Sequence, residues 1–451
     1  MPLPMMTVSG IRGVVNETID EYFITTIAYT QTKLANGGTI VVGRDTRPSG
    51  EAFAKAAFRG IRAAGGTPVD LGIAPTPTTC FATAVLNADG GIILTASHNP
   101  TPYNGYKMVH SSGRLYRASE CETVYNEFHK GIFPSKEDLA SISDAAEKTV
   151  DAATLHIERI LAAVDVEKIR NTGITIAVDS INGAAGAVFP SLLKALNVSW
   201  EGVHNKLDGD FVHNPEPRPE HLTDLAALLK KMPHSWGGFV FDPDADRLAT
   251  MCENGEPVSE EMTLAFSLMN LLNRQKSTVV TNLSTSMVID DVAKSFGVDV
   301  IRSKIGEANV VEAMENNNST MGGEGNGGVI FPEIVSARDG LTGMALILEL
   351  MAHSGKRITQ LVSQWPHYNI VKEKISCEGV DPKILIGTLE EKFSSEQCDR
   401  TDGLKILREY GWVHLRASNT EPIIRCYAEA RSEEQAKELA AMVMQEADNI
   451  T

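Results

Sequence analysis

Three similar mixed α/β units followed by a smaller α+β unit are what the sequence predicts, and three observations carry that fold class. Short apolar runs end in polar, glycine-rich turns and alternate with segments of helical spacing. A Gly-Gly pair that leads towards a charged or polar loop recurs along the chain. Over roughly the last 80 residues, the length of a small domain, the pattern changes to strand, turn, strand and helix.

The apolar runs include residues 39–42 before Gly43-Arg44-Asp45-Thr46-Arg47, residues 174–178 before Asp179-Ser180-Ile181-Asn182-Gly183, and residues 277–280 before Thr281-Asn282-Leu283. Residues 52–64 and 287–296 follow with helix-like spacing, so strands and helices alternate in layers. Gly90-Gly91-Ile92-Ile93-Leu94 leads into Thr95-Ala96-Ser97-His98-Asn99-Pro100, and Gly237-Gly238-Phe239-Val240-Phe241 into Asp242-Pro243-Asp244-Ala245-Asp246-Arg247. A third pair, Gly322-Gly323, runs directly into Glu324-Gly325-Asn326-Gly327-Gly328, and this match rests on little beyond the glycines. Each unit then delivers a functional loop from a strand end, where ligands collect on such sheets. In the last unit, residues 412–416 and 423–428 read as strands around a turn, and Ser432-Glu433-Glu434-Gln435 as the capping box of a helix. The expected units are 1–152, 153–256, 257–367 and 368–451, with the acidic residues 135–151 as a solvated connection or helix.

At 451 residues the chain exceeds a single core, and 43% hydrophobic with 22% charged residues is a globular composition. No apolar stretch approaches the ~18 residues of a membrane span, and the N-terminus lacks the basic and apolar regions of a secretory signal. The six cysteines are scattered without a C-x-x-C pair, which argues against a zinc site or a disulfide framework and suits a reducing, cytoplasmic setting. Net charge is −17 and no basic stripe is present, so nucleic acid is not an expected partner. An acidic protein that binds an anion must concentrate positive charge locally, which makes clustered arginines informative.

Ser97 follows a buried strand, and Pro100 biases Asn99 away from helix, so the chain turns and presents the serine. Tyr103-Asn104-Gly105 reads as a second turn that returns Lys107. A serine nucleophile needs a base or phosphate-stabilising cations, which His98 and Lys107 supply. Ser-His-Asn-Pro alone also fits an ordinary turn with a surface serine; the full string 95–107 is more specific. Asp242, Asp244 and Asp246 put three carboxylates at alternate positions, where like charges ~4 Å apart repel by about 4 kcal/mol at an effective dielectric of 20 unless a cation neutralises them. Oxygen-only ligands suit Mg²⁺. Glu253 would complete a calcium-binding loop, but Arg247 stands where such a loop needs glycine and the flanks read as strand. Arg247 is expected beside the phosphate at this metal. An acidic surface turn is the plain alternative.

Residues 323–328 match G-x-G-x-x-G, but the strand-like Val329-Ile330-Phe331 follows where a dinucleotide loop needs a helix. The better reading is a tight loop that brings Glu324 and Asn326 to sugar hydroxyls. Arg416, Ser418, Asn419, Thr420 and Arg425 lie within ten residues and suit an unreacting phosphate. Arg12 is a weaker candidate for another phosphate contact. His204, His213 and His414 read as structural.

These strings, in this order, resemble the α-D-phosphohexomutase superfamily of phosphoglucomutases, phosphomannomutases and phosphoglucosamine mutases. The resemblance spans essentially the whole chain and implies four domains around a central cleft, the first three alike. It implies a phosphorylated Ser97 that, with Asp242, Asp244 and Asp246, holds Mg²⁺. It implies Lys107 as general acid/base with His98 in support, Glu324 and Asn326 in the sugar loop, and Arg416, Ser418, Asn419, Thr420 and Arg425 at the distal phosphate. Many relatives read G-E-x-S-G-H in the sugar loop; here Asn326 and Gly328 replace Ser and His, which resembles archaeal-type and some bacterial phosphoglucosamine mutases. The implied reaction interconverts 6-phospho and 1-phospho hexoses, foremost those of glucosamine, through a 1,6-bisphosphate that also serves as activator. A phosphoglucomutase/phosphomannomutase is the first alternative. A sugar-phosphate phosphatase or a non-catalytic phosphosugar-binding protein comes behind it. A monomer or homodimer with no membrane partner is expected.

Overall fold

A computed structural model describes residues 3–377, 379–418 and 422–450. Four sheets follow one another along the chain. In each of the first three, one central strand has a parallel neighbour on either side. These central strands are Gly38–Arg44, Thr175–Asp179 and Val279–Asn282. One of the two neighbours is the glycine-pair strand, Gly90–Leu94, Gly238–Phe241 or Met321–Glu324. Each glycine-pair strand then pairs antiparallel with the next strand, Tyr103–His110, Leu248–Met251 or Gly328–Phe331. The Gly322-Gly323 match is therefore a true third copy. The hairpin Met321–Glu324/Gly328–Phe331 removes the dinucleotide reading, since no helix opens at the loop.

Two sequence expectations change in detail. Tyr103-Asn104-Gly105 is not a turn but the start of the strand Tyr103–His110, because Asn104 and Gly105 pair with Gly13 and Arg12. A Cβ at Gly105 would lie 2.3 Å from the Ile11 carbonyl and 2.5 Å from that of Thr95, so only glycine lets the three chain segments meet there. Residues 135–151 hold the expected helix, Lys136–Ser141, but also the strand Lys148–Thr149, which extends the edge of the first sheet.

The fourth sheet is antiparallel throughout and is covered by Pro382–Lys392 and Glu433–Asp448, the latter capped by Ser432 Oγ accepting from Gln435 N. The apolar cores divide unequally. One continuous cluster contains Phe81 and Ile93 of the first unit, Phe189 and Phe239 of the second, and Leu264 and Leu346 of the third. The first unit also has a cluster of its own, including Ile24, Phe53 and Leu94, and the fourth, outside the shared one, has another, including Leu385, Leu404, Val413 and Ala440. It meets the third through polar contacts: Lys405 Nζ donates to Leu283 O (2.5 Å), Ile305 N to Asp402 (3.0 Å), Met287 N to Glu429 (2.8 Å), and His414 bonds Ser284 (2.8 Å). No helix among the described residues is long and apolar enough to cross a membrane.

Candidate active site

A cleft of about 510 Å³ is lined by residues of all four units, among them Arg12, Lys107, Arg247, Asn326, Arg338 and Arg416. Ser97 lies just behind it, 1% exposed, on the turn that leaves Gly90–Leu94. It is therefore no surface serine. Its φ is +50°, a conformation a β-carbon disfavours and that persists only where the surroundings impose it. The imposing residue is Arg47, fully buried, whose guanidinium donates to the carbonyls of Pro100 (2.7 Å), Tyr103 (2.8 Å), Ser97 (2.7 Å) and Asn99 (2.6 Å). Asp45 fixes Arg47 (3.0 Å) and accepts from Thr95 Oγ1 (2.6 Å), which accepts from Ser97 N (2.9 Å). Sequence reading missed Arg47. Its only signal was position: it follows the first apolar run in the turn 43–47.

Ser97 Oγ stands 3.3 Å from His98 Nδ1 and 3.4 Å from Asp242 Oδ2. Burial first, then Arg247 and Arg12, pull the His98 imidazole down to about 2, so it is neutral. Asp242, Asp244 and Asp246 are fully buried, and a carboxylate oxygen from each lies within 4.8 Å of the others. Lys107 Nζ bridges Asp244 (2.6 Å) and Asp246 (3.0 Å); burial opposes its charge, but the two aspartates override burial and raise the ammonium's pKa. Burial pushes Asp242 well up, reinforced by Asp244 and Asp246. Asp246 is lowered against its burial by Arg338, Lys107 and Arg247.

Even with Lys107 in place, Asp244 Oδ1 and Asp246 Oδ1 are buried with no hydrogen-bond partner among the described residues. Buried carboxylate oxygens are costly to leave bare. With Asp242 Oδ2 they form an oxygen-only set beside Ser97, which fits a hard dication such as Mg²⁺. The hairpin strands Gly238–Phe241 and Leu248–Met251 on either side exclude the helix flanks of an EF-hand.

Arg338, also missed from sequence, joins the aspartate loop to the loop 323–328 by donating to Asp246 (2.7 Å) and Glu324 (2.9 Å), and it also donates to Glu307 (3.1 Å). It closes the strand Val335–Arg338, with no motif around it. Glu324 is thus already held, and it also accepts from Asn282 (2.8 Å) and Gly306 N (3.0 Å). Asn326 lines the cleft, and its Oδ1 is buried without a partner among the described residues. Between them, a Cβ at Gly325 would fall 1.9 Å from the Glu261 carboxylate, so a larger residue there would have to displace that side chain.

Across the cleft, Arg416 and Arg425 face one another as a register pair on adjacent strands. Like charges directly opposite are unfavourable and suit a site for an anion. Asp402 holds Arg416 at 3.1 Å. Ser418 lines the same cleft; Asn419 and Thr420 lie outside the described residues. Arg12 donates to Asn99 (3.0 Å) and lines the cleft from the first unit. His414 bridges Ser284 and the Asp402 carbonyl, a structural role. His204 and His213 lie apart from the site, both on Asp179.

Comparison with known proteins agrees with this layout. Residues 5–135, 154–255 and 260–368 match the families described as phosphoglucomutase/phosphomannomutase alpha/beta/alpha domains I, II and III. Residues 379–446 match the phosphoglucomutase/phosphomannomutase C-terminal domain. The chain is 39% identical to "Phosphoglucomutase/phosphomannomutase" of Thermococcus kodakarensis over 95% of each chain. It is 33% identical to "Probable phosphoglucosamine mutase" of Methanopyrus kandleri, over 96% of this chain and 95% of the relative. A solved structure of a phosphoglucomutase/phosphomannomutase family protein from Burkholderia thailandensis superposes with TM-score 0.84 at 26% identity over 98% of both chains. Likeness that runs the full length, through every domain in order, makes this chain a member of the phosphoglucomutase/phosphomannomutase family.

Proposed function

We propose that this phosphohexomutase passes a phosphoryl group through Ser97, and that glucosamine phosphates are its preferred substrates. The observation that carries the relay is the pair of buried carboxylate oxygens of Asp244 and Asp246 that lack a hydrogen-bond partner among the described residues, beside a strained, buried serine. Asp242, Asp244, Asp246 and the Ser97 side would hold Mg²⁺, which when bound supplies charge neutralisation at the reacting phosphate. In the forward half, the bond from phosphorus to Ser97 Oγ breaks as one forms to the free sugar hydroxyl, giving a hexose 1,6-bisphosphate. The hydroxyl proton ends on Ser97 Oγ, relayed by Lys107 with the neutral His98 in support. The bisphosphate turns over in the cleft, and its other phosphate returns to Ser97. Arg12 and Arg247 steady the reacting phosphate. Arg416, Ser418, Asn419, Thr420 and Arg425 hold the phosphate that is not reacting. Positioning and charge dominate such transfers.

In this reading the units 1–152, 153–256, 257–367 and 368–451 each contribute one loop, the enzyme is cytoplasmic, and it works as a monomer or homodimer. Glu324 and Asn326 contact the sugar. The loop 323–328, with Glu260 lining the same side of the cleft, offers acceptors to which an amino group can donate. A second reading, glucose or mannose phosphate, is favoured by the name of the 39% identical relative. A side-by-side assay of kcat/KM on glucosamine, glucose and mannose phosphates, with Mg²⁺ and a trace of bisphosphate, separates them. Preference for glucosamine phosphate supports the loop as a substrate marker; preference for glucose or mannose phosphate keeps the relay and overturns that use of the loop.

A further inference from the structure

A second cluster of ligating side chains lies in the second unit, away from the aspartate loop. Asp179, at the end of the strand Thr175–Asp179, points one oxygen, Oδ2, at His204 Nδ1 (3.0 Å) and at His213 Nε2 (3.3 Å). One ligand atom from each of the three residues lies within 4.8 Å of the others. Asp179 is 1% exposed and the two imidazoles 14% and 15%, so a small ion can reach them while they remain largely dry.

The hydrogen-bond pattern is what makes this cluster unusual. His204 Nε2 bonds the Asp224 carboxylate (3.1 Å), and His213 Nδ1 the carbonyl of Asn214 (2.9 Å). A carbonyl only accepts, so His213 Nδ1 carries N–H, and the Asp224 carboxylate favours N–H at His204 Nε2 as well. In neutral rings the inner nitrogens, His204 Nδ1 and His213 Nε2, are then lone pairs. Both face Asp179 Oδ2, itself an acceptor, so three acceptors converge on one point. Two extra protons would resolve this: the Asp179 carboxylate raises both imidazoles, at His213 against its burial, with the ring centroids 5.4 Å apart. One dication resolves it equally.

The geometry points to a transition-metal site, of zinc type, formed by Asp179, His204 and His213. Bonds of ~2.0–2.1 Å in a tetrahedral site separate neighbouring ligand atoms by roughly 3.3 Å, close to the two contacts above. Imidazole and carboxylate together select zinc-like ions over magnesium. The outer partners, a carboxylate on one ring and a backbone carbonyl on the other, are those that orient metal-bound histidines. The cysteine pattern had argued against zinc, but this donor set needs no cysteine and joins residues 34 apart in sequence. Three protein ligands leave a fourth position for water.

The ion would tie the loop after Ser199–Val203 to the end of the central strand. That loop packs against the floor of the Ser97 turn: Phe211 lies under the Arg47 guanidinium (4.9 Å), Asn182 donates to Asp210 O (2.8 Å), and Thr46 donates to Asn182 O (2.8 Å). The site stands independently of which sugar the enzyme uses.

The test is zinc binding by the full chain in excess Mg²⁺, read by calorimetry and by metal content after gel filtration, with thermal unfolding alongside. Asp244→Asn should retain one tightly bound zinc, and zinc should raise its unfolding temperature. His213→Gln should lose that zinc and the shift. Asp224→Asn, a change at an exposed side chain that leaves the fold intact, should weaken binding by about 10- to 100-fold. Wild-type protein that binds no zinc overturns the site in favour of a protonated histidine pair. Zinc that departs with Asp244→Asn, or that survives both His213→Gln and Asp224→Asn unchanged, overturns it equally.

Discussion

The two walls of the cleft are built differently. On the side proposed for transfer, Ser97 and its loop belong to units that share one apolar cluster, and the serine turn is pinned by Arg47 through four carbonyls. On the side proposed to hold the unreacting phosphate, Arg416 and Arg425 ride on a unit with its own core, joined to the rest by hydrogen bonds and ion pairs such as Lys372–Glu260 (3.2 Å). Apolar burial of the first kind resists opening, while polar joints exchange readily with water. The difference suits the reaction. Phosphoryl transfer needs fixed geometry, whereas turning a bisphosphate over needs a wall that can withdraw and return.

Substitutions on the two sides should therefore separate by kind. Ser97→Ala should have the largest effect, a fall in kcat of about 10³-fold or more with loss of the one-phosphate mass increment; near-normal turnover would remove Ser97 from the reaction. Arg47→Ala should act on the fold as well as on rate, since it strips partners from Asp45 and four carbonyls. A loss of about 3–5 kcal/mol in urea unfolding is expected, and an unchanged midpoint would mean that the transfer wall is not pinned there.

At the joint, burial raises the Glu261 carboxyl to about 8, with Glu429 and Glu260 adding to the rise against the bond from Ser286 N. The folded protein thus favours the neutral acid. Stability from this group is full below the ordinary carboxyl range and is lost as pH climbs towards 8, by as much as ~4 kcal/mol. Glu261→Gln should match wild type near pH 5 and exceed it near pH 8; parallel pH curves would contradict the buried-acid reading. Arg416→Ala should be the mildest. KM for the phosphosugar should rise roughly 10- to 100-fold, the worth of a charged hydrogen bond, with kcat little changed and stability intact. A fall in kcat without a KM change would place Arg416 on the transfer side instead.

How far the sequence could be read follows the same division. Ser97, the three aspartates and the arginine pair sit in contiguous strings, where neighbouring residues identify one another. Arg47 and Arg338 do not: the carbonyls that Arg47 holds lie 50 to 56 residues away and the carboxylates on Arg338 14 to 92, and only the folded chain brings them together. The third repeat was faint because its glycine-pair strand, Met321–Glu324, already contains the loop's glutamate, so no apolar run marks it. Tyr103-Asn104-Gly105 has the composition of a turn, yet Gly105 is there for close packing within a sheet. His204 and His213 carry no motif, and their common partner Asp179 is set by where two strand ends converge.

The relay through Ser97 is tested most directly by following the phosphate itself. Enzyme carrying isotopically labelled phosphate on Ser97 is mixed with a single turnover's amount of glucosamine 6-phosphate and quenched over time. The label should leave the protein and appear first in the 1,6-bisphosphate, then in sugar monophosphate or back on Ser97, with none released as free phosphate. Label released as inorganic phosphate in step with turnover would make the site a phosphatase, and label that stays on the protein while sugar is isomerised would remove Ser97 from the path.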